Sequence, residues 1–262
     1  MTKQITEKIK LWGIVQGVGF RPYVAKTADR MNMKGEVLNI GGLVEIVVTD
    51  EPERIDAFVD ALIAGKPGPA EIVHIKRQEQ RLRHFDAFTI IKSDEGDDEA
   101  AMIPADLAIC PSCLEELYDK DNPRYQHPFI SCQLCGPRYT IIDRIPYDRD
   151  NTSMIDFPMC GFCEKEYTDL HDRRHHAQTI SCHECGPVLM WHGEKELTGG
   201  DPGSDAAILD MAADGLRNGN VIAFKSVGGY NLVADPFNDK AVTMLRKMKN
   251  RESKPFAVMF RS

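Results

Sequence analysis

The sequence has 262 residues, 42% hydrophobic and 27% charged, with a formal net charge of −8. This is globular composition sized for one to three domains, and it excludes wholesale disorder. No apolar run approaches the roughly 20 residues that span a bilayer. Met1-Thr2-Lys3-Gln4 leads into a mixed-polarity stretch rather than the apolar heart of a signal peptide. A cytoplasmic location is therefore expected, and the acidic balance weighs against nonspecific binding to nucleic acid or anionic membrane.

Residues 1–92 read as one small α/β unit. Ile9, Leu11, Ile14 and Val15 predict a first strand, and a glycine-rich turn at 16–20 follows. Pro22 suits the first turn of a helix carrying Val24, Ala25, Ala28 and Met31. Glu36–Ile40 and Val44–Val48 read as a hairpin around Gly41-Gly42. Ile55, Phe58, Val59 and Leu62 predict a second helix over 51–64, and 72–75 and 88–91 supply two more strands. The order βαββαβ is the ferredoxin-like pattern, which makes the fold class α+β. Asp94–Glu99, with no apolar residue to bury, reads as a linker.

The eight cysteines form four CxxC pairs: Cys110/Cys113, Cys132/Cys135, Cys160/Cys163 and Cys182/Cys185. They are two copies of C-x2-C-x18-C-x2-C offset by 50 residues. Aligning 110–137 with 160–187 matches four cysteines and seven other residues: Glu116/Glu166, Asp119/Asp169, Arg124/Arg174, Ile130/Ile180, Ser131/Ser181, Gly136/Gly186 and Pro137/Pro187. Two CxxC turns close a tetrahedral cage of thiolates around zinc, with no open position left for catalysis. The region 106–190 is therefore expected to hold two structural zinc ions as its core. The spacing leaves open which pairs share an ion, and closure of each repeat on itself is the favoured arrangement. His127, His171, His175, His176 and His183 lie among the cysteines, and eight thiolates need none of them as ligands.

Gly199–Ser204 reads as a second break. Beyond it, Ile208, Met211, Ala212 and Leu216 predict a helix ending near Gly219. Val221–Phe224 predicts a strand, Ala241, Met244, Leu245 and Met248 a further helix, and Phe256–Phe260 a final strand. So short a segment, 205–262, leaves apolar faces with little to bury them, and the chain is expected to be the front portion of a longer protein.

Between the first strand and helix lies Gly13-Ile14-Val15-Gln16-Gly17-Val18-Gly19-Phe20-Arg21. Small residues at 17 and 19 let backbone N–H groups converge ahead of a helix N-terminus, which favours an anion. Arg21 adds a planar fork for phosphate. A pocket plugged by hydrocarbon side chains, or an arginine turned outward and engaged elsewhere, would defeat this reading. The stretch resembles the acylphosphatase signature G-x-V-Q-G-V-x-F-R. That resemblance implies phosphate binding by Gln16, Gly17, Val18, Gly19, Phe20 and Arg21, with catalysis by Arg21 and by Asn39, which orients the attacking water. Position 43, where the family pattern usually has glycine, is Leu.

The Lys225…Gly228-Gly229 stretch and the run Lys249-Asn250-Arg251-Glu252-Ser253-Lys254-Pro255-Phe256 resemble the opening of a YrdC-type domain. The resemblance implies nucleotide contacts at Lys225, Arg246, Lys249, Arg251 and Lys254, with ATP and Mg2+ bound once that domain is complete.

The three modules in this order resemble the HypF family, the carbamoyltransferases of [NiFe] hydrogenase maturation. The resemblance implies that carbamoyl phosphate is cleaved at the N-terminal site and that carbamate is adenylated with ATP. The carbamoyl group then passes to a C-terminal cysteine of a partner protein, for the cyanide ligands of the hydrogenase iron. Two other classes fit parts of the sequence: a stand-alone acyl-phosphate hydrolase with a zinc scaffold, and an RNA-binding zinc module.

Overall fold

Residues 4–94 and 102–260 are described by a computed structural model. The linker expected at 94–99 therefore lies, past Asp94, outside the described residues. The chain divides into two units, 1–125 with 129–187 and 126–128 with 188–262.

The first unit opens with β1 (Ile5–Ile14), α1 (Phe20–Arg30), β2 (Lys34–Ile40), β3 (Leu43–Asp50), α2 (Pro52–Ala64), β4 (Glu71–Gln80) and β5 (Phe88–Ile90). β1 through β4 with the two helices give the expected βαββαβ order, and β5 adds a fifth strand beside β2. The sheet runs β4-β1-β3-β2-β5. β1 is antiparallel to both β3 and β4, while β2 is antiparallel to β3 and parallel to β5. Alternation decides which face is buried: Ile9 sits opposite Ile46 and Leu11 opposite Val44. Onto that face α1 lays Phe20, Val24 and Ala28, and α2 lays Ile55, Phe58, Val59 and Leu62, both at helical spacing. Between β4 and β5 the chain crosses the other face of the sheet. There the Arg83 N–H donates to Thr6 Oγ1 (2.8 Å) and the Arg83 guanidinium pairs with Glu36 (2.7 Å).

The cysteine repeats belong to the same unit. Each opens with a CxxC turn whose first cysteine is the N-cap of a short helix, Cys110 for α3 (Pro111–Tyr118) and Cys160 for α4 (Gly161–Thr168). The helices end alike: Asp119 Oδ1 accepts from the Asp121 N–H (3.0 Å) and Asp169 Oδ1 from the His171 N–H (2.9 Å). These local turns are one reason the aspartates recur between the copies.

The second unit holds the small hairpin β6 (Met190–Trp191) and β7 (Leu197–Thr198), then α5 (Pro202–Arg217), β8 (Ile222–Ser226), β9 (Gly229–Val233) and α6 (Asp239–Met248). Two expectations are corrected here. Pro202-Gly203-Ser204 is not part of a break but the first turn of α5, since Asp201 Oδ1 caps the Gly203 and Ser204 N–H groups. Phe256–Phe260 forms no strand. The β8–β9 hairpin is a two-stranded sheet that takes in no third strand, and Met259 stands 97% exposed. An apolar run without a ladder partner has nothing to hold it extended.

Candidate functional site

The turn between β1 and α1 has Gly17 and Gly19 at φ 72° and 70°, the left-handed region that glycine alone enters freely. α1 then starts at Phe20, so its first-turn N–H groups face the turn. The turn is also tightly covered. A Cβ at Gly17 would meet Pro137 Cγ at 2.8 Å, and one at Gly19 would meet Gln133 Cβ at 3.2 Å, both in the first cysteine repeat.

Two signature residues, Gln16 and Arg21, converge with Asn39 on one dipeptide, Tyr147-Asp148. The Gln16 amide donates to the carbonyls of Gly41 (2.9 Å) and Leu43 (3.1 Å), and its Oε1 accepts from the Tyr147 N–H (2.9 Å). Gln16 thereby ties the turn to the β2–β3 hairpin, and Leu43 contributes only its backbone. Arg21 is buried, 8% exposed, and points inward. Its Nη1 donates to Ser93 Oγ (3.0 Å), and its Nη2 to the Tyr147 carbonyl (3.2 Å) and to Asp148 Oδ1 (2.5 Å). Asn39 Nδ2 donates to the same carbonyl (3.4 Å), while Asn39 Oδ1 is buried with no hydrogen-bond partner among the described residues. A cavity of about 30 Å³ remains, lined by Gln16, Gly17, Gly19, Phe20, Arg21 and residues of both repeats. At ~10–15 Å³ per water it has room for about two. Val18 is buried in the hydrophobic core beneath the turn. No local pattern pointed to Tyr147 or Asp148, which lie more than a hundred residues away along the chain.

Each repeat closes on itself. Cys110, Cys113, Cys132 and Cys135 form one cluster and Cys160, Cys163, Cys182 and Cys185 the other, with all sulfurs of a cluster within 4.8 Å of one another. The Sγ–Sγ separations of 3.5 Å (Cys110–Cys132), 3.9 Å (Cys132–Cys135), 3.6 Å (Cys160–Cys182) and 3.8 Å (Cys182–Cys185) are far longer than a disulfide. Zinc–sulfur bonds of about 2.3 Å in a tetrahedron require sulfurs about 3.8 Å apart, so the donor set fits zinc. No histidine belongs to either cluster. Burial pushes His175 down to about 4 and His176 down to about 3, so both are neutral imidazoles at pH 7.

The repeats are interlocked by exchange. Arg124 of the first copy donates from Nε to the Ser181 carbonyl (2.8 Å) and pairs with Glu166, both in the second copy. Arg174 of the second copy donates from Nε to the Ser131 carbonyl (3.0 Å) and pairs with Glu116 of the first. The two arginines are 1% and 2% exposed. Burial opposes the charged form of Glu116, but the Arg173 and Arg174 guanidinium groups outweigh it and hold the carboxyl at about 2. Cationic donors also reach the sulfurs: Arg173 Nη2 lies 3.0 Å from Cys113 Sγ and Arg124 Nη2 3.4 Å from Cys163 Sγ. They counter the negative charge that a four-thiolate zinc site carries.

In the second unit, Arg246 and Arg251 flank the Phe256 ring at 5.1 and 5.2 Å. Arg246 Nη1 donates to the carbonyls of Arg251, Glu252 and Lys254, and Arg251 Nη2 to that of Pro255. These two candidates are thus brought together, and they order their own loop. Lys225 on β8, and Lys249 and Lys254 beyond α6, are exposed.

Comparisons with known proteins match three kinds of segment in the chain. Residues 7–90 match the Acylphosphatase family, 109–142 and 159–192 the HypF finger, and 214–262 the Sua5/YciO/YrdC family described as Telomere recombination. An acylphosphatase of Vibrio vulnificus is 36% identical over 86 residues, 32% of this chain and 94% of its own. Fold and clusters define an acylphosphatase-type domain joined to a doubled four-cysteine finger. A "Probable carbamoyltransferase HypF" of Methanocaldococcus jannaschii is 48% identical over 96% of this chain and 33% of its own length. The crystal structure of full-length HypF in the phosphate- and nucleotide-bound form matches 100% of this chain and 34% of its own, with TM-score 0.89 and 38% identity. The chain belongs to the HypF family, and spans about a third of the length of these relatives. No helix among the described residues is long and apolar enough to cross a membrane.

Proposed function

We propose that this chain carries the step that opens a carbamoyl transfer: hydrolysis of carbamoyl phosphate in the turn between β1 and α1. The phosphoryl group rests against the 16–21 backbone and the Arg21 fork. Water held by Asn39 Oδ1 attacks phosphorus, the bond to the bridging oxygen breaks, and carbamate leaves with the electron pair. A mixed anhydride has a good leaving group, so positioning and charge neutralisation suffice. The supporting observation is the convergence of Gln16, Arg21 and Asn39, with an unpartnered buried oxygen on Asn39 where a water would be held.

In the whole protein the carbamate goes on to adenylation with ATP and Mg2+ at the YrdC-type domain, for which Lys225, Arg246, Lys249, Arg251 and Lys254 are the nucleotide contacts. Transfer to the C-terminal cysteine of a maturation partner follows, in the cytoplasm. Zinc in both clusters is structural and holds the Tyr147-Asp148 segment against the first site. The test is phosphate release from carbamoyl phosphate. The chain should release it, Arg21→Ala should lose at least about a hundredfold, consistent with removal of one transition-state donor, and equal rates would refute the assignment.

A further inference from the structure

The guanidinium proposed to grip phosphate already holds an anion. Nη2 of Arg21 has two N–H groups, and both are used, one by the Tyr147 carbonyl and one by Asp148 Oδ1. A phosphoryl oxygen approaching that nitrogen must displace one of them. The Tyr147 carbonyl is the harder to move. Both main-chain groups of Tyr147 are held, the N–H by Gln16 Oε1 and the oxygen by Asn39 Nδ2. The residue after Asp148 is also fixed: the Arg149 N–H donates to Gln178 Oε1, and its guanidinium to the carbonyls of Gln178 and Ile180 at 2.8 and 2.9 Å. The Asp148 side chain is the free end. It is 24% exposed where Arg21 is 9% exposed, so it can turn to solvent while the backbone stays.

Electrostatics makes the exchange exclusive. A buried guanidinium without a counter-anion is strongly unfavourable, which is why the Asp148 carboxylate covers it. Once a phosphoryl dianion arrives, a carboxylate on the same nitrogen would meet like charge at close range. We propose, building on the hydrolytic reading above, that Asp148 is a specificity-determining residue: its carboxylate occupies the phosphoryl subsite and admits only anions that outcompete it. A phosphoryl group does so because it meets Arg21 and the N–H groups of the turn together. A simple carboxylate offers only what Asp148 already supplies, and without the advantage of being tethered. The observed affinity for an anion is reduced by the fraction of molecules in which Asp148 has swung away.

The experiment measures inorganic phosphate binding by titration calorimetry on the 262-residue chain, its Asp148→Asn and Asp148→Ala variants and Arg21→Ala, with the fold of each checked by circular dichroism. Both Asp148 variants should bind phosphate about tenfold more tightly, as expected when an internal competitor is removed. Acetate should compete with phosphate in Asp148→Ala and not in the parent, and Arg21→Ala should not bind. Unchanged or weaker affinity in both folded Asp148 variants overturns the competitor while leaving the phosphate site standing. No phosphate binding in any of the proteins overturns the phosphate site and the competitor with it. Unfolding of both Asp148 variants overturns the proposal too, since the ion pair would then be a structural support.

Discussion

The sheet-and-helix half of the first unit and its cysteine half are ordered by opposite means. Residues 5–90 enclose Phe20, Phe58, Ile9, Leu11, Ile46, Ile55 and Leu62, and their helices read off a 3.6-residue period. In the cysteine half the largest fully buried side chains include Arg124 and Arg174, and each apolar cluster is little more than cysteines around one isoleucine, Ile130 or Ile180. Hydrophobic burial tolerates imprecision, whereas paired charges and metal ligands do not. The contrast teaches that the second half should hold a defined shape only with its sulfurs metallated and its arginines matched.

Removing the metal should break the comparison most sharply. Structural zinc is worth about 10–16 kcal/mol in small finger peptides. Metal analysis should find two zinc per chain. After chelation, amide exchange should lose its protection across 106–187 and keep it across 5–90. Next comes the exchanged clamp. Arg124→Ala removes the nearer partner of Glu166 and leaves it only Arg174 at 3.7 Å, a loss of up to about 3–5 kcal/mol for a broken buried pair, and should hasten zinc release from the second cluster in a chromogenic chelator assay. Phe58→Ala should cost about as much, ~3–5 kcal/mol, read in urea unfolding of the first half with zinc content unchanged. The smallest effect is that of pH. The folded protein holds His175 at about 4 and His176 at about 3 by burial, below the unfolded value of about 6.5. The unfolded chain therefore binds protons first as pH falls from 6.5 to 4, and stability should drop across that window by on the order of 2–3 kcal/mol for each histidine. Asn replacements at both histidines should flatten the slope.

The same contrast explains what the sequence could reveal. Periodicity reports local surface, so β1 to α2 and both outer helices, α5 and α6, were legible from Ile55, Phe58, Val59, Leu62 and their counterparts. Cysteine spacing is local as well, and it located the ligands, while which pairs share a cage stayed open until the fold brought each repeat's four sulfurs together. The reciprocal roles of Arg124, Glu116, Arg174 and Glu166 were not legible, although their recurrence at offset 50 pointed to them, because a repeat alignment pairs equivalents rather than contacts. Asp148 lay beyond reach: it sits in a stretch of short turns with no period, and only the fold carries it to Arg21. The strand expected at Phe256–Phe260 failed for a related reason, since apolar character cannot supply a ladder partner.

The crossed arginines carry a consequence for how this doubled segment can change over time. Glu116 answers to Arg174 and Glu166 to Arg124, so neither copy can drift at these positions without unsettling its sibling. The residues that still agree between the halves are those that serve the shared seam, the metal cages and their turns. Where the halves differ, as at Pro123 and Arg173 or Phe129 and Thr179, each was free to fit its own surroundings. A duplicated motif knotted in this way ages as a single object.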